Sequence, residues 1–407
     1  MKKGLRNCLV VFVIFSGMLI IPQSVKVKIA GNITSTQETK LTVLTYNSLF
    51  ADPKYDLEGN FSEFSGIPKN DINIIRLDDA NELVTTLEIE KGQLDIVIGI
   101  DNVLIHLIEN KSDLLELYTP SVLDQIDSNL IQNLDPEKYL IPYDYGIISF
   151  WYKNQIINSS THPELTDLTL DNLLESDILS MLIVENPKYS SPGLGFLLWT
   201  IAVYGDPEIN LKGIIDGDWR DWWKAARGEI LIQKSWDDAW TIFETESEGR
   251  PIMISYGTSP AYGFCQWADN STSAVVTYEN EEPNAWLQIE GIGLVKDAPN
   301  QENAKQFIDW FLDSELQSEL PEHQWMYPAN TKANVSECFN QTAIRPDEVN
   351  RLNDLISPSL LKKHLTYWQE EWEEAVVQRS IPGFGSPIVI FGLFIITLAI
   401  TARKKKK

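Results

Sequence analysis

LDIVIGI, Leu94 to Ile100, decides the fold. A strand covered on one face alternates apolar and polar residues, but this run is apolar almost throughout and therefore belongs inside a sheet covered on both faces. Upstream, LTVLTY (Leu41–Tyr46) is β-rich, INIIRL (Ile72–Leu77) is a second short apolar run, and NELVTTLEIEKG (Asn81–Gly92) has helical spacing. Strand, mixed loop and short helix, strand, helix, strand is the opening of an α/β domain with a parallel sheet. Ligands of such sheets lie beyond the carboxyl ends of the strands. Here those ends are Tyr46-Asn47-Ser48, Asp78-Asp79 and Gly99 to Asn102.

Two extended segments, YDYGIISFWYKN (Tyr143–Asn154) and PIMISYGTSPAYG (Pro251–Gly263), open and close a new section. Two crossings imply two lobes. Residues 31–143 begin the first lobe, 144–255 form the second, and 256–379 return to the first and add the C-terminal helices. A linker at 380–386 follows. Trp219, Trp222 and Trp223 fall at helical spacing beside charges and read as core packing.

The termini carry a topology. Lys2, Lys3 and Arg6 precede an apolar stretch from Cys8 to Ile21, so 1–30 reads as an export signal. Residues 387–402 are apolar and long enough to span a bilayer, and the basic tail 403–407 would stay on the cytoplasmic side. The chain is thus expected at the cell membrane, single-pass, with its bulk extracellular. Sequons at Asn32, Asn60, Asn110, Asn158, Asn270, Asn334 and Asn340 are compatible with export. A net charge of -25 makes nucleic acid an unsuitable partner and favours the approach of cations. Beyond the signal only Cys265 and Cys338 remain, so one disulfide is possible.

Signatures of catalysis are sparse. His106, His162, His323 and His364 show no metal-ligand spacing, there is no Gly-X-Ser-X-Gly elbow, and neither remaining cysteine adjoins a histidine. The expectation is a binding protein rather than an enzyme, with no metal and no cofactor. Tyr46, Trp236, Tyr256, Tyr262 and Trp325 fall at strand ends or loops beside polar residues, where aromatic faces can stack on a flat ligand and attract a cationic ring. In KYSSPGLGFLLW (Lys188–Trp199), Ser191 suits a helix cap and Pro192 the first turn; the same helix start could receive a phosphate. Asp79 with Glu82 makes an Asp-X-X-Glu helix start.

LTVLTYNSLFAD, LDDANELV, LDIVIGIDN, PYDYGIISFWYKN, NPKYSSPGLGFLLW, VYGDPE, SWDDAW, ISYGTSPAYG and WMYP occur in one order. Together they resemble the thiamine-binding periplasmic proteins of ABC importers, over Leu41 to about Gln378. The resemblance implies a two-lobed, hinged, type II periplasmic-binding-protein-like fold that closes on thiamine, thiamine monophosphate or thiamine diphosphate. It also implies delivery of the ligand to a permease and its ATPase, with the receptor acting as a monomer. Carried over by position, it implies ligand contacts at Asp79, Ala80, Ser190, Ser191, Trp236, Tyr256, Gly257, Thr258 and Ser259, with Tyr46, Tyr262 and Trp325 lining the rings. Ala80 stands where the family usually has Gly, and Gly257 where it has Thr. IPGFG (Ile381–Gly385) resembles the signal that precedes the C-terminal anchor of many archaeal surface proteins. Two alternatives stay open: a polyamine or ferric-ion receptor of the same fold, and a membrane-anchored carbohydrate-active enzyme.

Overall fold

In the computed structural model the described residues are 40–245 and 249–376. The expected export segment, the linker, the transmembrane segment and the basic tail lie outside them. Among the described residues no helix is long and apolar enough to cross a membrane.

Eight strands of an 11-stranded sheet lie side by side in the order Ile72–Leu77, Leu41–Tyr46, Ile96–Asp101, Leu287–Val295, Ile141–Lys153, Ile252–Tyr256, Leu182–Glu185, Leu231–Gln233. The first three are parallel, as the apolar runs predict, and Ile96–Asp101 is buried at every position. Leu287–Val295 runs antiparallel to its neighbours on both sides. At the other edge Ile252–Tyr256, Leu182–Glu185 and Leu231–Gln233 are again parallel to one another.

The central strand Ile141–Lys153 belongs to both halves. Ile141 to Ile147 pair with Leu287–Ile292, whereas Ile148 to Tyr152 pair with Ile252–Tyr256. The sequence puts the second crossing at residue 256, yet Thr272–Val275 still pairs with Phe150–Lys153 in the second half. A strand that follows an antiparallel neighbour can add to the free edge of that half before the chain leaves it.

Trp219, Trp222 and Trp223 are buried, as their spacing predicts. Trp223 meets Phe196 and Trp372 edge-on, with ring centroids 5.5 and 5.6 Å apart. The last helix, Pro358–Val376, therefore packs on Trp219–Ala226 of the second half, while Lys362 Nζ reaches Glu109 O of the first.

Cys265 and Cys338 are joined, their Cα atoms 5.3 Å apart, closing a loop with a sequence separation of 73. The bond ties helix Pro260–Trp267 to helix Glu337–Thr342. A loop of that length restricts the unfolded chain enough to contribute about 4 kcal/mol. Replacing Cys265 and Cys338 by Ser is expected to lower the stability by about 2–4 kcal/mol in urea titrations of the two forms; equal midpoints would show that the bond constrains little.

Candidate functional site

Beyond the strand ends, residues from both halves enclose a cavity of about 480 Å³. Tyr46 ends the first strand, Asp79 and Ala80 follow the second, and Ser190 and Ser191 start the helix after Leu182–Glu185. Trp236 starts the helix after Leu231–Gln233, and Tyr256, Ser259 and Tyr262 follow the course of Ile252–Tyr256 into its helix. Trp325 comes from the turn before Tyr327–Pro328. All ten border the cavity.

Gly257 and Thr258 do not. The Gly257 amide donates to Ile147 O at 2.8 Å, and a Cβ there would meet Ile147 and Ile344. Thr258 is fully buried with its hydroxyl on Met326 Sδ. Both hold the turn that presents Tyr256 and Ser259 instead of facing the cavity. Ser259 Oγ lies 2.8 Å from Ser255 Oγ, which in turn accepts the indole N–H of Trp236 at 2.9 Å.

Aromatic faces make two walls. Trp236 and Trp240, one helical turn apart, lie nearly parallel at 8° and 6.1 Å. Opposite in chain order, the Tyr262 ring is held edge-on between Trp325, at 4.7 Å, and Trp267, at 5.1 Å. Such pairing fixes ring orientation before any ligand arrives.

Ser190, not Ser191, caps the helix Ser191–Tyr204, accepting from the Gly193 amide at 3.4 Å. Pro192 is then the second residue of the helix, where its missing N–H is unneeded. Ser191 is left facing Asp101, whose carboxyl is raised by burial, with the Leu104 and Val103 amides and then the Ser191 hydroxyl opposing the rise. Asp79 does not cap its short helix either. Its carboxylate pairs with the Lys234 ammonium at 2.9 Å, and this bond joins the loop after the second strand to the loop after Leu231–Gln233. The hydrogen bond to Asp79, and after it the charge of Asp79, raises the Lys234 pKa.

The floor is polar and buried. Tyr46 Oη donates to Glu290 Oε2 at 2.5 Å, Tyr143 Oη donates to the same oxygen, and Gln288 donates to Oε1 at 2.8 Å. Gln324 donates to Tyr46 Oη at 2.9 Å. Burial keeps both phenols neutral, so they act as donors. Burial pushes the Glu290 carboxyl up to about 7, with Asp101 adding to the rise and the Tyr143, Tyr46 and Gln288 hydrogen bonds opposing it. At the rim Asp237 is raised by burial and then by the charges of Asp238, Asp79 and Asp78.

Glu290, Trp240 and Trp267 border the cavity without having been singled out in the sequence. Trp240 was findable as the i+4 neighbour of Trp236. Glu290 sits inside the apolar run WLQIEGIGLVK, where nothing local marks it.

Gly99 fixes the place of Tyr46. Its φ is +103°, and a Cβ there would lie 2.3 Å from the tyrosine ring. Gly99→Ala is expected to cost about 2–5 kcal/mol, strain and overpacking together. Urea unfolding checks this, and a loss under about 1 kcal/mol would mean that the Tyr46 ring moves freely.

Known proteins are similar to this chain in sequence and in fold. The "Thiamine-binding periplasmic protein" of Brucella melitensis biotype 1 is 26% identical over 337 residues, 82% of this chain and 91% of that one. The protein of the same name from Escherichia coli strain K12 is 27% identical over 343 residues, covering 83% and 93%. Among solved structures, "Periplasmic thiamin binding protein" superposes with a TM-score of 0.68 at 25% identity, covering 84% of this chain and 98% of that one. The ferric binding protein from Campylobacter jejuni, at 18% identity and a TM-score of 0.61 over 82% and 99%, shares the fold. The fold is therefore α/β and periplasmic-binding-protein-like. A family model described as bacterial extracellular solute-binding protein matches residues 48–318, and the chain belongs to that family.

Proposed function

We propose that this solute-binding protein is the extracytoplasmic receptor of an ABC importer for thiamine, working by hinged closure of two lobes. The observation that carries the reading is that Tyr46, Trp236, Tyr262 and Trp325, drawn from distant parts of the chain, border one cavity together with Asp79 and Glu290. Thiamine joins a flat aminopyrimidine to a cationic thiazolium. Aromatic walls suit both rings, a cationic ring gains about 0.5–2 kcal/mol on such a face, and buried carboxylates balance its charge. A cavity of about 480 Å³ lies within the usual range for small-molecule sites. The names of the relatives support the same ligand.

In this reading the central strand Ile141–Lys153 and the return between Val275 and Leu287 are the hinge. The Asp79–Lys234 pair, formed between the two sides of the cavity, then favours closure. The Ser190–Ser191 helix start would receive the hydroxyethyl or phosphate end of thiamine or its phosphates. Residues 387–402 tether the receptor beside the permease and ATPase to which it delivers its ligand.

Intrinsic tryptophan emission of the ectodomain is expected to change on adding micromolar thiamine. Trp236→Ala should weaken binding by more than about 1 kcal/mol, the scale of a lost stacking partner. Titration calorimetry with thiamine, its monophosphate, its diphosphate, spermidine and ferric ion separates the readings, since a stronger response to either of the last two would remove thiamine. Release of product from glycans by the ectodomain would instead mean an enzyme. Removal of residues 387–407 should release the protein from the membrane fraction of expressing cells, and recovery of both forms in that fraction would reject the tether.

A further inference from the structure

Three acidic residues stand in a row across the middle of the sheet. Glu290 pairs directly with Asp101 on one neighbouring antiparallel strand and with Asp144 on the other. Direct partners project on one face with Cβ atoms about 4.5–5.5 Å apart. Asp101, Glu290 and Asp144 are 2%, 4% and 0% exposed. Glu290 borders the cavity, and the two aspartates flank it on either side without bordering the cavity.

The groups bearing on this row come from every strand around it. Tyr46 reaches in from the first strand, Tyr143 from the central strand, Tyr256 from Ile252–Tyr256, and Gln288 from two positions before Glu290. Asp101 accepts the Val103 and Leu104 amides and faces Ser191, while neither Asp144 oxygen has a hydrogen-bond partner. None of these groups is a cation. Like charges placed opposite one another destabilise a sheet, and a buried charge without a partner is strongly disfavoured. The row therefore needs protons when the cavity is empty.

We propose that this row is the cation subsite of the cavity: Glu290 holds a proton in the empty protein and releases it to solvent when the positively charged ring of the ligand settles over it. One proton leaves as one organic cation enters, so the buried face carries no added net charge. The proposal rests on the thiamine reading above for the identity of the cation. An organic cation suits the geometry better than a metal. Among the described residues no three His, Cys, Asp or Glu side chains are placed to hold a metal ion, whereas Tyr46 and the aromatic walls border the same space.

The sign of the pH dependence follows. Burial lifts Glu290 from its ordinary 4.5 to about 7, and burial with the nearby Glu290 charge holds Asp144 well above the carboxylate range. In the empty protein Glu290 is protonated below about 7, so bringing in a cation costs the release of that proton. Affinity for the cation should then rise with pH, at most tenfold per unit, and level off above about 7. Without ligand, the raised pKa favours the folded state at low pH. That contribution is lost as pH climbs through the window from 4.5 to about 7.

The test is thiamine titration calorimetry on the ectodomain at several pH values from 5.5 to 8.5, in buffers of different ionisation enthalpy that count released protons. Wild type should release a proton fraction that approaches one per thiamine at pH 5.5–6 and falls to near zero by pH 8. Glu290→Gln should bind at least tenfold more weakly at pH 8, with no release and a flat profile. Asp101→Asn, which keeps an acceptor for the two amides, should move the release window to lower pH, and it serves if Glu290→Gln does not fold. Thiamine binding by wild type without proton release, or an unchanged profile in these variants, overturns the subsite. No thiamine binding by folded wild type overturns the thiamine reading and the ligand assigned to the subsite. The unliganded arm then decides whether Glu290 is a proton holder: wild type should lose stability relative to Glu290→Gln between pH 5 and 8, and parallel curves overturn that as well.

Discussion

One strand, Ile141–Lys153, is hydrogen-bonded into both halves of the sheet, and the site exists because of it. Through its first residues it holds Asp144 and Tyr143 beside Glu290; through its later ones it carries Trp151 and backs the strand that ends at Tyr256. A continuous strand transmits position because its ladder bonds fix every second side chain to one face. The acidic floor and the strand that leads to Tyr256, though distant in sequence, are thus placed by the register of one segment. Tyr143 is the extra residue where the register shifts, between Asp144 opposite Glu290 and Pro142 opposite Gly291, and this bulge lets two chain neighbours bear on one carboxylate. A slip of one residue would turn Asp144 away from the row.

The two kinds of wall do different work. Stacked and edge-on pairs such as Trp236 with Trp240 and Tyr262 with Trp325 are stable without a ligand, since each ring already has a neighbour. They form a slot that loses little conformational freedom on binding. The floor is the opposite case. Carboxylates opposed across strands and sealed from water are uncomfortable when charged, and the empty protein tolerates them by keeping protons and by the donated phenols of Tyr46 and Tyr143. Shape therefore comes preformed, while charge balance waits on the occupant.

What could be read from the sequence was local. The apolar runs around Leu94–Ile100 and the strand ends lead to the sheet and to Tyr46 and Asp79, whereas Ser190 enters only through the family resemblance. Polar surroundings picked out Trp236, Tyr262 and Trp325, and all six border the cavity. Gly257 and Thr258, implied by the resemblance, do not border the cavity, because neighbours in a tight turn point in different directions and the turn beyond Tyr256 gives only Tyr256 and Ser259 to it. Choosing Ser191 over Ser190 as the cap was a one-residue error of the kind helix ends invite. Glu290 was invisible for a deeper reason. Its meaning depends on facing Asp101 and Asp144, more than a hundred residues away, on a strand whose register shifts at Gly291.

Burial alone does not make an acid functional, and Glu185 provides the comparison. It is fully buried at the end of Leu182–Glu185, neither oxygen has a hydrogen-bond partner, and burial holds it well above the carboxylate range. Nothing nearby supports its charged form apart from its own backbone, and it does not border the cavity. A neutral carboxyl is its only comfortable state. Glu290 is equally enclosed but receives three side-chain donors and faces the cavity, so its two protonation states lie close in free energy near neutral pH. That balance, set by burial on one side and by two tyrosines and a glutamine on the other, separates an acid that can answer a ligand from one that is simply packed away.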